Sequence, residues 1–223
     1  MAQAGMHALV GTAIRKIAPK REWLMLGIIL GSLFPDLDNY AVAIATIAKL
    51  PTTGLHRTFT HSLFTMIAAF VVFFIVATLL KQPRWMNIGL GLGIGIGLHI
   101  LLDLVLWFNG VQLLWPLSPW INFWEGIKPP LWFSKLMDPA EFLFFGLFFL
   151  WLAKAARDHK TDVRKIGALR IWIIAMAVLW VVFTALVFIM SKGFLTVYGL
   201  IYLVIATAAF IITIQMRQTV EAY

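Results

Sequence analysis

The sequence predicts an all-α fold, a polytopic integral membrane bundle of about five to seven membrane helices. Three observations predict it. Hydrophobic residues make up 61% of the 223 residues and charged residues only 13%, whereas soluble domains carry about 45–50% and about 25%. The mean hydropathy is +0.90. The apolar residues also form long runs separated by short basic segments, so the excess apolar surface must face lipid.

Five apolar runs are long enough for the roughly 20 helical residues that cross the hydrocarbon core. They are residues 62–80, 87–107, 140–156, 168–190 and 194–215. Shorter helical pieces are expected at about 4–17, 22–34 and 40–50, with a break at Pro35 between the last two. We expect this break to face protein or water, because lipid cannot satisfy free backbone groups.

We expect one membrane domain over residues 1–223, because nothing in the sequence indicates a second, soluble domain. Its first part, 1–120, carries polar motifs suited to a metal site, and 139–217 holds three C-terminal membrane helices. The sequence has no Cys, which excludes disulfides and thiolate metal ligands.

The start of the third run is marked by a capping pattern. Asp138 is expected to cap a helix whose first residue is Pro139, because Pro is favoured at the first helical position. Glu141 then occupies the third position, where an acid stabilises the helix start. An alternative role for Glu141 is to face a functional site.

The net charge of +8 would suggest a nucleic-acid partner in a soluble protein. Here the basic residues cluster between apolar runs, which is the topology signal of membrane proteins, so no nucleic-acid partner is expected. The positive-inside rule places the strongly basic segments in the cytoplasm. Residues 51–61 and 108–138 are then expected on the outer side.

Glycines alternate with apolar residues in one of the runs. They are Gly89, Gly91, Gly93, Gly95 and Gly97. Such spacing allows close helix approach in membranes and predicts a packing role. It does not indicate a nucleotide-binding loop, since no phosphate-binding helix start follows.

Seven ionisable residues within or beside the apolar runs are expected on one side of the membrane. They are His7, Asp36, Asp38, His56, His61, His99 and Asp103. Ionisable groups in membrane segments are costly and commonly mark function. Imidazole with carboxylate suits Zn, Mn or Fe better than Ca or Mg, and the set is large enough for two ions.

Each element of this set also has a purely structural interpretation. His99 and Asp103 are spaced i, i+4, so both side chains can reach one metal, or they can form a hydrogen bond between packed helices. Asp36 and Asp38 follow Pro35, and their structural interpretation is that they simply cap the next helix.

The segment 56–62 (His-Arg-Thr-Phe-Thr-His-Ser) is a polar cluster that packing does not require. Its guanidinium, on Arg57, is suited to a bidentate contact with a phosphate oxygen. Two metals about 3.5–4 Å apart would activate water and stabilise an in-line displacement at phosphorus.

The order and spacing of these motifs resemble the inner-membrane, LexA-regulated family of predicted metal-dependent hydrolases. The matching segments are His7, Pro35 to Asp38, His56 to Ser62, His99 to Asp103, and Leu114 to Pro116. The resemblance covers about residues 5–120 and implies a bacterial or archaeal cytoplasmic (inner) membrane protein. The family commonly has Gly where this chain has Thr58, and often has a His where this chain has Asn39, which removes one possible ligand.

The order of the motif residues is also similar to the ligand order of zinc-dependent phospholipase C. This similarity implies five metal ligands. They are His7, Asp36, His61, His99 and Asp103, with Asp103 a candidate bridge. The cofactor implied is one or two zinc ions, with manganese as an alternative. The later ligands of that soluble enzyme have no clear match here, so its full three-metal site is not expected.

These observations predict a membrane-bound metal-dependent hydrolase whose site faces the outer side. It would cleave a phosphoester in a lipid or lipid-linked substrate through a metal-activated water. Asp38 or His56 would transfer protons, and Arg57 would bind phosphate. The alternatives are a zinc amidohydrolase acting on lipids and a non-enzymatic transporter or metal carrier. Arg57 favours phosphate over amide, and the lack of an internal repeat argues against a transporter.

Overall fold

A computed structural model describes residues 3–190 and 192–222 and confirms the all-α class. The α-helices of this part are α1 (Ala4–Ala13), α2 (Leu24–Leu33), α3 (Asn39–Ile47), α4 (Leu63–Leu80), α5 (Pro83–Leu106), α6 (Leu131–Asp158), α7 (Ile166–Ile189), α8 (Phe194–Gln215) and α9 (Arg217–Glu221). Short 3₁₀ turns lie at Ile14–Lys16, Pro35–Asp38, Phe59–His61 and Val163–Lys165.

Within these described residues, six helical stretches are long and apolar enough to cross a membrane, which confirms the predicted five to seven. They are Leu24–Ile47, Leu63–Leu80, Pro83–Leu106, Leu131–Asp158, Val163–Ile189 and Phe194–Gln215. The first stretch is interrupted between α2 and α3, as predicted from Pro35, because Pro cannot continue a helical hydrogen-bond ladder. The side of the membrane on which each loop lies stays a prediction.

The predicted start of α6 is wrong. The helix begins at Leu131, and Pro139 lies inside its 28 residues, so Asp138 does not cap it. Pro130, whose extended backbone precedes the first turn, is the residue that sets the start. A membrane helix tolerates an internal Pro, because neighbouring helices satisfy the carbonyl that the missing N–H leaves.

The chain forms two compact units. The central unit is Val10–Lys128, and the terminal unit comprises the described residues of Met1–Leu9 and Pro129–Tyr223. In the central unit, α5 packs against α2 and α4. A Cβ atom built on Gly95 would lie 2.2 Å from the carbonyl oxygen of Ile28, and one on Gly91 would lie 2.4 Å from that of Leu24. The predicted packing role is therefore confirmed for these two glycines, which let α2 and α5 approach closely.

The terminal unit has an aromatic core. Phe142, Phe145, Phe148 and Phe149 of α6 are fully buried, and α6 packs against α7 and α8. The buried Glu141 accepts a hydrogen bond from the backbone N–H of Gly5 at 2.7 Å. Glu141 thereby satisfies one of the free amides at the start of α1.

Candidate metal centre

Three segments of the central unit bring together four buried side chains, which we call the ligand quartet. The 3₁₀ turn after Pro35 carries Asp36, the 3₁₀ turn before α4 carries His61, and α5 carries His99 and Asp103 one helical turn apart. None is more than 2% exposed. Buried carboxylates and imidazoles need partners, because their burial is otherwise costly.

The four side chains point one atom each toward a common centre. The Nε2 atoms of His61 and His99 are 3.1 Å apart. Oδ2 of Asp103 lies 3.4 Å from the first and 3.8 Å from the second. Oδ1 of Asp36 lies 3.9 Å and 3.8 Å from the same two atoms. Bonds of about 2.0–2.1 Å to a tetrahedral zinc place the ligand atoms about 3.3–3.4 Å apart. The quartet is therefore close to the spacing that one ion requires.

The protonation of His99 follows from its partner. Nδ1 of His99 lies 2.8 Å from the carbonyl oxygen of Ser32. A carbonyl oxygen only accepts, so Nδ1 carries the hydrogen and Nε2 of the neutral ring presents a lone pair. Metal-binding histidines are oriented by this kind of contact.

The protonation of His61 follows from a short chain of hydrogen bonds. The hydroxyl of Thr60 donates to Oδ2 of Asp38 at 2.8 Å and lies 3.0 Å from Nδ1 of His61. Since the hydroxyl has given its only hydrogen to the carboxylate, it accepts from His61. Nε2 of the neutral His61 ring then also presents a lone pair.

With both rings in these neutral tautomers, two nitrogen lone pairs face each other across 3.1 Å, and two buried carboxylates point at the same space. Lone pairs and anions that converge in this way repel one another unless a cation lies between them. Three carboxylates and one guanidinium meet here, on Asp36, Asp38, Asp103 and Arg57, so a divalent cation would bring their sum to zero. The donor set therefore fits a metal ion.

Asp38 is not a member of the quartet, but it contacts the ring nitrogens of two histidines. Oδ1 of Asp38 is 2.7 Å from Nδ1 of His56, and Oδ2 is 3.3 Å from Nδ1 of His61. Oδ2 also accepts the backbone N–H of Arg57 at 3.1 Å. These contacts make Asp38 an orienting residue for both imidazoles.

The tautomer of His56 follows from its contact with Asp38. Its Nδ1 is committed to Asp38, so the neutral ring has its lone pair on Nε2, which makes no hydrogen bond to any described residue. Burial lowers the pKa of His56 below its ordinary value, although the carboxylate of Asp38 opposes this, so the neutral ring is favoured near pH 7. The rings of His56 and His61 lie 5.2 Å apart.

Arg57 is buried, and its guanidinium lies against the quartet. Nε is 3.4 Å from Oδ2 of Asp103, and a terminal nitrogen donates to Oδ1 at 3.4 Å. Its backbone has φ 62°, a left-handed conformation that costs about 1–2 kcal/mol for a residue with a Cβ. The backbone N–H of Gln112 donates to its carbonyl at 3.0 Å and helps to hold it there.

The structure therefore brings four of the five predicted metal ligands to one centre, with the predicted catalytic residues Asp38, His56 and Arg57 beside it. The fifth, His7, is a buried residue of α1 in the terminal unit. Its role as a ligand stays a prediction, as do the catalytic roles.

Two partners of the site did not emerge from the sequence. Ser32 acts through its backbone carbonyl, for which side-chain identity gives no signal. Thr60 lies within the polar segment 56–62, and its position next to His61 was the signal that could have revealed it.

The family model for the YdjM inner membrane protein matches residues 1–218. The chain belongs to the YdjM inner membrane protein family. This membership agrees with the six membrane-crossing stretches and supports the inner-membrane part of the resemblance found in the sequence. No curated protein and no solved structure matches the chain. The hydrolase activity and the likeness to phospholipase C stay predictions for this YdjM family member.

Proposed function

We propose that the protein is a membrane-embedded, zinc-dependent hydrolase that cleaves a phosphoester bond of a lipid or lipid-linked substrate. The observation that carries the proposal is the pair of facing Nε2 lone pairs on His61 and His99, flanked by the carboxylates of Asp36 and Asp103. A cation between these groups would offset their mutual repulsion.

Zinc suits these donors best. The imidazole nitrogens lie 3.1 Å from each other and 3.4–3.9 Å from the two carboxylate oxygens, and nitrogen and carboxylate ligands of this kind suit zinc. Manganese prefers six oxygen-rich ligands, and calcium and magnesium prefer oxygen alone. One ion at the quartet is favoured, because Asp38 and His56 lie at hydrogen-bonding distance from each other and act as an orienting pair.

Zinc at the quartet would supply Lewis acidity toward a phosphoryl oxygen or a water, which would reach it as an additional, fifth ligand. Nε2 of His56 would accept the proton of the attacking water, while Asp38 holds the ring in the required tautomer. The water oxygen forms a new bond to phosphorus, the ester P–O bond breaks, and the leaving oxygen takes up a proton.

Arg57 supports a phosphate substrate over an amide. Its guanidinium lies beside the quartet, 3.4 Å from Asp103, where it can hold a non-bridging phosphate oxygen and offset its charge. A neutral amide offers no negative charge in its ground state for this cation to bind.

Elemental analysis combined with a phospholipid hydrolysis assay tests the proposal. Purified protein should hold about one zinc per chain, and chelation should remove zinc and activity together. For variants that remove a ligand, such as His99→Ala, the matched control is His159→Ala, because that exposed histidine lies outside the central unit. Metal-free protein that stays fully stable in chelator would contradict the proposal. Zinc transport into proteoliposomes without hydrolysis would favour the carrier, and cleavage of a lipid amide alone would favour the amidohydrolase.

A further inference from the structure

An apolar groove lies between α4 and α5 of the central unit, with a volume of about 350 Å³. Its lining is wholly apolar and includes Met66 and Phe70 of α4 and Gly93 and Gly97 of α5. Both helices are membrane-crossing stretches. Ile67 and Ile94, on the two sides of the groove, are 53% and 38% exposed, so the groove opens toward lipid.

The glycines of α5 divide into a closely packed set (Gly89, Gly91 and Gly95) and a second set (Gly93 and Gly97). A Cβ atom on Gly89 would lie 2.6 Å from the Cβ of Phe73 on α4. Gly91 and Gly95 meet the α2 backbone so closely that a Cβ atom would clash at 2.4 Å and 2.2 Å. A Cβ atom on Gly93 would meet no atom closer than 3.5 Å, and one on Gly97 would meet only the Met66 sulfur at 3.3 Å. Close helix packing therefore explains the first set but not the second, which instead leaves space in the groove.

One end of the groove lies nearer to the ligand quartet than the other. Gly97 precedes Asp103 by six residues, which is about 9 Å along a helix axis. Met66 is in the first turn of α4, directly after the 3₁₀ turn that carries His61. The Met66 and Gly97 end of the groove is therefore the end nearest to the quartet.

We propose that this groove holds an acyl chain of a membrane phospholipid, with the phosphate-bearing headgroup toward the quartet. The apolar lining, the opening to the bilayer and the nearness of one end to the polar site select this occupant. As a substrate-binding groove, it rests on the proposed hydrolase function. It adds that the substrate is a phospholipid whose acyl chain enters sideways from the bilayer between α4 and α5.

Photolabelling tests the groove independently of catalysis. The full chain is placed in liposomes that contain a phosphatidylglycerol with a mid-chain diazirine, irradiated, and mapped by peptide mass spectrometry. We expect label concentrated on Met66–Phe70 and Leu90–Gly97, well above that on the exposed α7 residues Val178 and Val181. Equal labelling of α7 would show that the groove is ordinary lipid boundary and would overturn the inference.

Substitutions at the groove sharpen this test. Gly93→Leu fills the groove and should lower its labelling about tenfold, as expected when two methylene groups lose their burial. Gly93→Ala, whose methyl group fits at ordinary contact distance, should give a smaller loss. The matched control is Gly199→Leu on α8, where a Cβ atom meets nothing within 4 Å. Unchanged labelling in Gly93→Leu would contradict the inference.

The two proposals fail in different ways. A His99→Ala, Asp103→Ala variant should keep the groove label, because neither residue lines the groove. Labelling without metal binding by the native protein would sink the hydrolase proposal alone. Zinc-dependent hydrolysis with no preference of the label for the groove would sink the groove proposal alone.

Discussion

Buried acids of the two units have different kinds of partner. In the central unit, Asp36 and Asp103 each have an oxygen that faces imidazole nitrogens presenting lone pairs, while the other oxygen of Asp103 accepts a hydrogen bond from Arg57. In the terminal unit, the equally buried Glu141 accepts the backbone N–H of Gly5 at 2.7 Å. Burial of an acid in a membrane helix therefore does not by itself indicate a metal site. The group that faces each carboxylate oxygen distinguishes the two cases. An N–H group donates a hydrogen bond to the oxygen, whereas a nitrogen lone pair repels it unless a cation lies between them.

Removal of two quartet ligands should give the largest difference between the units. The His99→Ala, Asp103→Ala variant should lose its zinc, from about one ion per chain to nearly none, because two of four ligands are gone. Inductively coupled plasma mass spectrometry of purified protein measures this. Glu141→Gln serves as the control and should keep its zinc. Equal zinc loss in the two variants would contradict the difference between Asp103 and Glu141.

Removal of the proton acceptor should separate catalysis from metal binding inside the central unit. His56→Ala should retain zinc, because His56 is outside the quartet, and hydrolysis should fall about 10²–10⁴-fold, as for the loss of a general base. Turnover of a phospholipid at saturating concentration, normalised to bound zinc, is the measurement. A variant as active as the native protein would rule out this role for His56.

Loss of the orienting carboxylate should lower zinc affinity less than removal of two quartet ligands does. Asp38→Asn keeps the size of the side chain but removes the charge that faces His56 and His61. Loss of a group that orients a metal-binding histidine weakens metal affinity about 10–100-fold. A competition titration with a fluorescent zinc chelator would reveal the shift, and native affinity would show that Asp38 does not orient His61.

The terminal unit should respond in stability alone. Glu141→Ala leaves the Gly5 amide without its acceptor and should lower the free energy of unfolding by about 1–3 kcal/mol. Glu141→Gln, which keeps a carbonyl acceptor, should lose less. Thermal unfolding in detergent with parallel zinc analysis checks both, and zinc loss without a stability change would assign Glu141 to the metal site.

The helical class and the break at Pro35 could be predicted because they depend on local patterns, namely apolar run length and the missing N–H of Pro. The start of α6 could not, because Pro139 suits both a first turn and the interior of a membrane helix that its neighbours support. Tertiary packing decided between them.

The site was predictable in its residues but not in its arrangement. Spacing alone put His99 and Asp103 on one face of a helix. The meeting of Asp36 and His61 with that face depends on how α2, α4 and α5 pack, which no local pattern encodes. The same holds for the division of the α5 glycines into a packing set and a groove set.

Anomalous diffraction at the zinc absorption edge, from crystals of zinc-loaded protein, tests the central claim most directly. Our account predicts one peak among Nε2 of His61, Nε2 of His99 and the carboxylates of Asp36 and Asp103, with bonds of about 2.0–2.1 Å. A peak held instead by Asp38 and His56, or no peak at all in the central unit, would contradict it.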